Sequence, residues 1–515
     1  MPHAFPRHRF WPKAVAALLL VAIADRLFYG YEPGGTLGLF ALCWTAALAL
    51  TVPATWRRPA ARLALIAAAL TAVVLIDDPS PLGWLLFWTA LSSAALLARR
   101  GFDDAARHLA RVLLHGLTGV LVPLRDAARL RRLPRPVPRW SLPQAIAALA
   151  LPLVGGTVFL LLFASANPVI DAALGRLRLP WLDVGALWHA VFWAFLLVIV
   201  WPAFRPLPVV LRLTGGHAPA PVALPGVGIV SVTLSLILFN ALFAVQNLLD
   251  IAFLWSGAPL PAGMTMTEYA HRGAYPLIVT ALLAGAFVLI ATRPGTAIAA
   301  RPAIRRLIAL WTAQNLVLVA SSILRTLDYI AASMLTTLRI AALAWMLLVA
   351  LGLILIAWRM LTGKPLAWLV NRNALAAGLL LWMAALVDLG AVAAAWNVTH
   401  AREAGGGGPP LDLCYLDSLG PSALVPLAML EQRPLAPAFA DRVATIRDRQ
   451  LRYAIAGQTT PYGWTWRTAR RIDRVHALLG DHPRTPPFAT LRDCDGNLPA
   501  PAPPPATPLT KAPAR

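Results

Sequence analysis

The chain has 515 residues, of which 58% are hydrophobic and 13% are charged, and its formal net charge is +22. Soluble globular proteins carry about 25% charged residues, so this composition excludes an ordinary water-exposed surface and indicates a membrane protein. The positive charge does not indicate a nucleic-acid partner, because the cytoplasmic loops of membrane proteins collect Lys and Arg. We therefore predict contact with membrane lipid and none with nucleic acid.

Apolar stretches of bilayer-spanning length, about 20 residues each, recur between Ala14 and Trp396. They predict an all-α, polytopic membrane protein with about eleven transmembrane helices and a small helical C-terminal domain outside the membrane. The first stretch ends in Asp25-Arg26 rather than in small residues, so we expect an uncleaved anchor. The predicted spans are 14–30, 35–55, 61–76, 82–98, 143–165, 184–203, 227–255, 274–291, 307–324, 338–358 and 374–396.

Basic residues alternate from one side of these spans to the other. Of the 45 Lys and Arg residues, 25 lie in the six segments on one side, which are 1–13, 56–62, 99–142, 204–225, 292–306 and 359–373. Such an excess marks cytoplasmic loops. We therefore predict a bacterial inner-membrane protein with a cytoplasmic N-terminus and, after an odd number of spans, a periplasmic C-terminus. Most acids of the membrane part fall on the opposite, outer side.

The chain divides into five predicted parts. They are a four-helix membrane segment (1–98), a basic cytoplasmic amphipathic loop (99–142), a seven-helix membrane domain (143–396), an extracytoplasmic helical domain (397–482) and a Pro-rich disordered tail (483–515). The run Gly405–Gly408 predicts a flexible linker in front of the helical domain. That domain is also a candidate surface for a protein partner.

The longest inner loop contains a predicted amphipathic helix at 104–132. Its arginines lie largely away from an apolar side formed by Leu109, Val112, Leu113, Val120, Leu121 and Leu124. A basic amphipathic helix of this kind can lie on anionic lipid of the inner leaflet, which is the partner we predict. Binding of a soluble partner is the alternative.

Cysteine and histidine usage argues against a metal site. The chain has no His-Glu-x-x-His, no Cys-x-x-Cys and no Gly-x-x-x-x-Gly-Lys motif, so we predict neither a metal nor a cofactor. His108 and His115 share a helix face without a carboxylate, and we expect them to be solvated. In a periplasmic tail, Cys414 and Cys494 can form a disulfide that stabilises the fold by about 4 kcal/mol; two unpaired thiols are the alternative.

Polar residues near the predicted outer leaflet form the candidate site. Ionisable residues in or near lipid are costly, so they pair with one another or face a cavity. The functional interpretation is an outward-facing pocket for an anionic headgroup or glycan, and the alternative is a set of structural ion pairs. Asp388, inside the eleventh predicted span, is the strongest candidate for an acid that couples transport to protons. The predicted pocket comprises Gln246, Asn247, Asp250, Glu268, Tyr269, Arg272, Arg325, Asp328, Tyr329, Arg339 and Asp388.

Two segments that contain most of these pocket residues, 246–273 and 322–346, resemble a known family. The run 246–273, which contains Leu254-Trp255-Ser256-Gly257 and Thr267-Glu268-Tyr269-Ala270-His271-Arg272-Gly273, is similar to a bacterial multipass family known as domain of unknown function 4173, with its relative 4153. Ser322-x-x-Arg325, Leu335-Thr336-x-Leu338-Arg339 and Trp464-x-Trp466 match it as well. His271 and Ser333-Met334 depart from the family pattern, which has Arg and Tyr-Gly there. The resemblance implies no activity, but it makes 246–273 and 322–346 the expected shared site.

These observations predict a non-enzymatic protein that binds or moves a cell-envelope component through the outward-facing pocket. One alternative is a membrane enzyme acting on lipid-linked substrates at the outer leaflet, with Glu268 or Asp250 as its base and arginines holding phosphate. A second alternative is a structural or sensory partner protein that interacts through the tail and the basic loop.

Overall fold

Helices make up every element that the computed structural model describes. The description covers residues 7–131, 184–212, 228–256, 301–481, 483–486, 493–495 and 497, with isolated residues at 156, 163, 167, 169 and 283. The first helices are α1 (Arg7–Phe28), α2 (Thr36–Thr51), α3 (Ala54–Arg57), α4 (Pro59–Asp77), α5 (Pro81–Leu97), α6 (Ala105–Thr118), α7 (Leu121–Arg131), α8 (Val184–Phe204) and α9 (Pro208–Arg212). The later helices are α10 (Ile229–Asp250), α11 (Pro302–Ser333), α12 (Thr337–Thr362), α13 (Leu366–Leu386), α14 (Leu389–His400), α15 (Leu413–Ser418), α16 (Leu424–Glu431), α17 (Pro437–Gln458) and α18 (Trp466–Leu479).

Several of these helices have the length and apolarity of membrane spans. Six helical runs among the described residues qualify, namely Pro59–Asp77, Gly185–Arg212, Ile229–Trp255, Pro302–Ser333, Thr337–Thr362 and Leu366–Leu386. The helices Thr36–Thr51 and Pro81–Leu97 are apolar but shorter. The predicted spans 143–165 and 274–291 lie outside the described residues. The chain is therefore a helical protein with several membrane-span-like helices, and the total of eleven spans stays a prediction.

The chain forms two compact units, each assembled from segments that are distant in sequence. The first comprises 1–223, 365–385 and 460–466, and the second comprises 224–364, 386–459 and 467–515. In the first unit α4 and α5 form an antiparallel pair. Ser80 begins α5 by accepting a hydrogen bond from the Gly83 amide at 3.1 Å. Small residues let neighbouring helices approach, since a Cβ at Gly38 would overlap the Ala72 carbonyl.

The basic inner loop folds as two helices, α6 and α7, which separate at Gly119 and Val120. Most of its predicted apolar side is exposed, namely Leu109, Leu113, Val120, Leu121 and Leu124, and so is Leu117. Val112, which the pattern also placed on that side, is buried at 2% exposure. The opposite side is buried and carries polar groups, including Arg111, which pairs with Asp103. Which groups face the protein was not evident from the amphipathic pattern.

The expectation of solvated histidines in this loop is wrong. The His115 side chain is only 3% exposed, and its ring lies 6.3 Å from the ring of Trp88, centroid to centroid. His108 is half-buried, and its Nε2 lies 3.0 Å from Ser93 Oγ. Both residues occupy the side of α6 that packs on α5, which the helix pattern alone could not distinguish from a solvent face. Burial lowers the pKa of His115 to about 4, with the charge of Arg99 as a second cause.

In the second unit, α10 and α11 pack side by side. Buried residues of α11 recur at alternating intervals of four and three, which is the spacing of a coiled-coil seam. Seven of the eleven buried residues of α11 follow this spacing, namely Ile304, Ile308, Trp311, Asn315, Leu318, Ser322 and Arg325. The two helices run in the same direction, because Asn240 contacts Leu307 and Asn247, seven residues later, contacts Gln314. Side chains on these two helices therefore keep a fixed register along the whole interface.

The helices of the C-terminal tail pack together with α14. One apolar cluster joins Ala394 and Val398 of α14 to residues of the tail helices, among them Leu411, Leu416, Leu427, Val443 and Ile446. The apolar spacing of the tail predicts helices at 411–431, 435–456 and 464–480. α15 and α16 lie within the first of these segments and α18 within the third, while α17 ends two residues beyond the second. The prediction of a separate extracytoplasmic domain remains a prediction.

The Gly405–Gly408 run is not a flexible linker. The amides of Gly406 and Gly408 donate to the carbonyls of Ala401 and His400 at 2.9 and 3.0 Å, so the run folds back on the end of α14. A Cβ on either glycine would overlap the His400 carbonyl. Glycine is needed here for close backbone approach rather than for mobility.

Candidate functional site

The centre of the candidate site is an ion pair between α10 and α11. Asp250 is fully buried at the end of α10, and the Arg325 side chain is 4% exposed. The Arg325 guanidinium donates through Nη2 to Asp250 Oδ1, and Gln246 Nε2 donates to the same oxygen at 2.9 Å. A buried carboxylate and a buried guanidinium each compensate the charge of the other, so both must stay in place.

Amides continue this interface towards the start of the two helices. Asn240 Nδ2 donates to the Leu307 carbonyl at 3.1 Å, while Gln314 Nε2 donates to Asn240 Oδ1 at 3.0 Å. About two turns further along α10, Asn247 Nδ2 donates to the Gln314 carbonyl at 3.1 Å. We call Asn240, Asn247, Asp250, Gln314 and Arg325 the polar seam. The seam places three amides, followed by one ion pair, along a membrane-span-like helix pair.

A π-helical turn follows Asp250 directly. It spans Ile251–Trp255, and its last residue donates from the indole Nε1 to Ser321 Oγ at 3.1 Å. π-helical turns inside longer helices are rare and occur frequently at functional sites. Here the turn changes the helix at the point where the buried ion pair ends, so the residues after Asp250 leave the regular register of α10.

A second group of candidate residues lies at the end of α11. Arg339 donates through Nη1 to the carbonyls of Ser333, at 2.7 Å, and Met334. Its guanidinium carbon also lies 3.9 Å from the centre of the Tyr329 ring, which is a cation–π contact. A cation beside the last carbonyls of a helix stabilises that helix end, so the contacts of Arg339 are those of a structural cap. Asp328, which directly precedes Tyr329, is exposed.

Asp388 lies at a helix start rather than inside a span. The predicted eleventh span is two helices, because α13 ends at Leu386 and Asp388 caps α14 by accepting from the Ala391 amide at 3.0 Å. The carboxylate also pairs with Arg471. Burial favours the neutral form, but the Arg471 charge and then the hydrogen bonds from Ala391, Arg471 and Ser422 outweigh it and lower the Asp388 pKa. A carboxylate whose pKa is lowered in this way holds a proton less readily, which makes Asp388 a poor proton carrier.

The predicted site residues are therefore found in three places. Gln246, Asn247, Asp250 and Arg325 meet along the polar seam, Tyr329 and Arg339 meet at the end of α11, and Asp388 caps α14. Glu268, Tyr269 and Arg272 lie outside the described residues. Sequence reasoning missed Arg471 as the partner of Asp388, since nothing in the sequence links positions 83 residues apart.

The two tail cysteines are joined. Cys414 in α15 and Cys494 form a disulfide with their Cα atoms 4.9 Å apart, and the bridge closes a sequence separation of 80 residues. Asp495 lies beside the two sulfur atoms. Because the sulfurs are bonded to each other rather than present as thiolates, this group is not a metal site.

Comparison with known proteins identifies a family but no activity. No curated protein and no solved structure matches the chain significantly. A family model described as "Domain of unknown function (DUF4153)" matches residues 63–430, more than half of the chain. The resemblance to domain of unknown function 4173 is therefore not confirmed, and the family that matches is its relative 4153. The chain belongs to the family described as domain of unknown function DUF4153.

Proposed function

We propose that this protein is a non-enzymatic, multipass protein of a bacterial inner membrane that binds an anionic cell-envelope component. The binding site would lie at the Asp250 end of the polar seam, together with the predicted residues Glu268, Tyr269 and Arg272. The observation that carries the proposal is the Asp250–Arg325 pair, which is buried in a helix pair of membrane-span length. Buried charges in such helices are rare and usually mark sites of function.

Binding fits this arrangement better than catalysis does. A general base must come within hydrogen-bond distance of the proton that it removes. Asp250 is fully enclosed and is already engaged by Arg325 and Gln246. A guanidinium, by contrast, carries five N–H donors, so Arg325 can bind the phosphate or carboxylate of a ligand while it stays paired with Asp250.

The proposed orientation has a cytoplasmic N-terminus and a periplasmic C-terminus. The turn 460–466 hydrogen-bonds to the loop between α1 and α2, since the amides of Gly34 and Gly35 donate to the carbonyls of Tyr462 and Trp464 at 2.7 Å each. The two segments therefore share one side of the membrane. A disulfide persists in the oxidising periplasm rather than in the cytoplasm, which favours the periplasmic side for both.

Thiol labelling tests this orientation. In intact cells with a permeable outer membrane, a membrane-impermeant maleimide should label Cys414 and Cys494 only after reduction. The single variant Cys43→Ser serves as the control, because it removes the thiol outside the tail and should leave that labelling unchanged. Tail thiols that stay unlabelled until the inner membrane is broken would place the tail in the cytoplasm and reverse the proposed orientation.

Native mass spectrometry of the full-length protein, extracted with its native lipids, tests the ligand proposal. Wild type should retain an anionic envelope molecule, and the double variant D250N/R325Q should lose it. The double substitution removes one charge of each sign, so it leaves no unpaired buried charge. Arg305→Gln is the matched control, because Arg305 is an exposed cation near the other end of α11.

Retention of the same bound molecules by D250N/R325Q would overturn the binding proposal. The variant Glu268→Gln separates the enzyme alternative from it. If Glu268→Gln keeps its ligand but accumulates it chemically unchanged where wild type converts it, the protein is an enzyme rather than a binding protein.

A further inference from the structure

A cluster of cations in the first unit surrounds a cavity that the polar seam does not involve. The basic cavity has a volume of about 250 Å³ and is lined by Lys13, Arg99, Arg125, Arg129 and Arg205, with Phe204 and two prolines. These cations come from four elements, since they lie in α1, just after α5, in α7 and just after α8. Cations from such distant positions meet only in the folded protein.

Backbone carbonyls and one carboxylate hold these cations in position. Arg99 donates to the carbonyls of Ala95 and Phe204 at 2.5 and 2.6 Å. Asp126 pairs with both Arg125 and Arg205, at 2.9 Å in each case. Carbonyls carry no net charge, so among the described residues here the cations are in excess over the acids. Burial and the neighbouring charge of Arg205 lower the pKa of Arg99 to about 10, in keeping with that excess.

One donor in this cluster is left without a partner. Arg125 uses Nε and Nη2 to bind Asp126, but its Nη1 is buried and has no hydrogen-bond partner among the described residues. A buried donor that stays unsatisfied is costly, and most such groups in native proteins are satisfied by protein, water or a ligand. An anionic oxygen in the basic cavity would satisfy it with a charge-assisted hydrogen bond.

An apolar groove lies beside the basic cavity. It has a volume of about 200 Å³, and its lining includes Phe10, Ala14 and Leu18 of α1, Leu197 and Trp201 of α8, and Ala127 of α7. Asp126 also borders the groove, and the Arg205 guanidinium carbon lies 5.2 Å from the centre of the Phe10 ring. The groove and the cavity are adjacent, because Asp126 of the groove pairs with Arg125 and Arg205 of the cavity.

This pairing of charge and apolar surface selects one class of ligand. A basic cavity alone suits any phosphate, because guanidinium groups bind phosphate oxygens in a bidentate manner. A soluble phosphate makes no contact with an adjacent apolar groove, whereas the acyl chain of a phospholipid can pack in it. Basic pockets between transmembrane helices on the cytoplasmic side are known to take anionic lipid headgroups.

We propose that the basic cavity binds the phosphate headgroup of an anionic phospholipid while the apolar groove holds one of its acyl chains. This inference is independent of the ligand proposed for the polar seam, because the two sites share no residue. It also differs from a helix that merely lies on the inner leaflet, since the cations of α7 act here together with cations next to α5 and α8.

The test measures binding of phosphatidylglycerol to the full-length protein in detergent, by native mass spectrometry titration. The double variant R125Q/R129Q should bind at least about tenfold more weakly, since one charge-assisted hydrogen bond corresponds to roughly that factor. Asp126 keeps its pairing with Arg205 in this variant, so the fold should be retained. The control R62Q/R107Q removes two exposed cations outside the cavity and should bind as wild type does.

A second variant separates a lipid from a free anion. Ala127 is exposed and lines the groove, so Ala127→Trp should fill the groove while leaving the basic cavity open. This variant should lose phosphatidylglycerol but keep the weaker binding of inorganic phosphate. Phosphatidylcholine, whose headgroup has no net charge, should bind weakly to every variant.

Two results would overturn the proposal. One is phosphatidylglycerol binding by R125Q/R129Q that equals binding by R62Q/R107Q. The other is unchanged phosphatidylglycerol binding by Ala127→Trp, which would show that the headgroup alone is recognised and that the groove holds no acyl chain. Neither result bears on D250N/R325Q, so failure here is distinguishable from failure of the proposed function.

Discussion

The polar seam and the basic cavity both bring charge into a largely apolar protein, but they balance that charge differently. In the seam, Asp250 and Arg325 form a one-to-one pair from which solvent is excluded. In the cavity, Asp126 is shared between Arg125 and Arg205, and three further cations surround the same space. A balanced pair restricts the packing of two helices, whereas a cluster in which cations outnumber acids among the described residues attracts an anion.

The largest expected effect comes from unbalancing the seam. Asp250→Asn leaves Arg325 buried without its counter-charge, and breaking a buried pair in this way costs about 3–5 kcal/mol. We expect a lower midpoint of thermal unfolding in detergent, followed by tryptophan fluorescence. D250N/R325Q should recover most of the loss, since it restores neutrality.

The cavity supplies the matched control for that experiment. Arg129→Gln removes an exposed cation from an already positive cluster, so its unfolding midpoint should equal or exceed that of wild type. If Asp250→Asn and Arg129→Gln changed stability equally, the distinction between a balanced and an unbalanced site would be wrong.

A smaller effect is expected from pH at His115, which faces the charge of Arg99. The folded pKa is about 4 and lies below the ordinary value of 6.5, so the unfolded chain takes up a proton first as pH falls. Stability should therefore be complete above pH 6.5 and should fall by up to about 3 kcal/mol as pH approaches 4. Hydrogen exchange of α6 amides between pH 7 and pH 5 measures this change.

His115→Phe keeps a ring against Trp88 and removes one of two titrating groups, so it should reduce the dependence on pH. Burial also lowers the pKa of His108 on the same face of α6, so this residue should retain part of the dependence. If hydrogen exchange of the α6 amides gave the same stability for wild type at pH 7 and at pH 5, the result would contradict the burial of a neutral imidazole. Asp388 does not interfere in this interval: burial favours its neutral form, but the charge of Arg471 outweighs burial and lowers the Asp388 pKa.

Local patterns were sufficient for the positions of many helices. The apolar runs predicted α4, α5, α8 and α12 closely, because hydrophobic length is a property of the chain itself. They failed at Asp388, where one polar residue between two apolar stretches is a helix cap that only its contacts reveal. They also failed at Gly405–Gly408, since mobile and tightly folded glycine runs have the same composition.

The candidate site was predictable in part for a similar reason. Gln246 and Asp250 are one turn apart, so helical spacing alone places them on one face. That Arg325 is the partner of Asp250 depends on the parallel packing and register of α10 and α11, which no local pattern encodes. The basic cavity was missed altogether, because along the sequence its cations serve only as markers of the cytoplasmic side.

The sequence by itself determined that this is a helical membrane protein with alternating basic segments, because hydrophobic length and charge distribution are additive along a chain. Only the tertiary structure decided which charges neutralise one another and which remain in excess. Pairing depends on distances between side chains that are 75 or more residues apart, as for Asp250 with Arg325 and Asp126 with Arg205. Those distances follow from helix packing, and packing is a cooperative property of the whole fold.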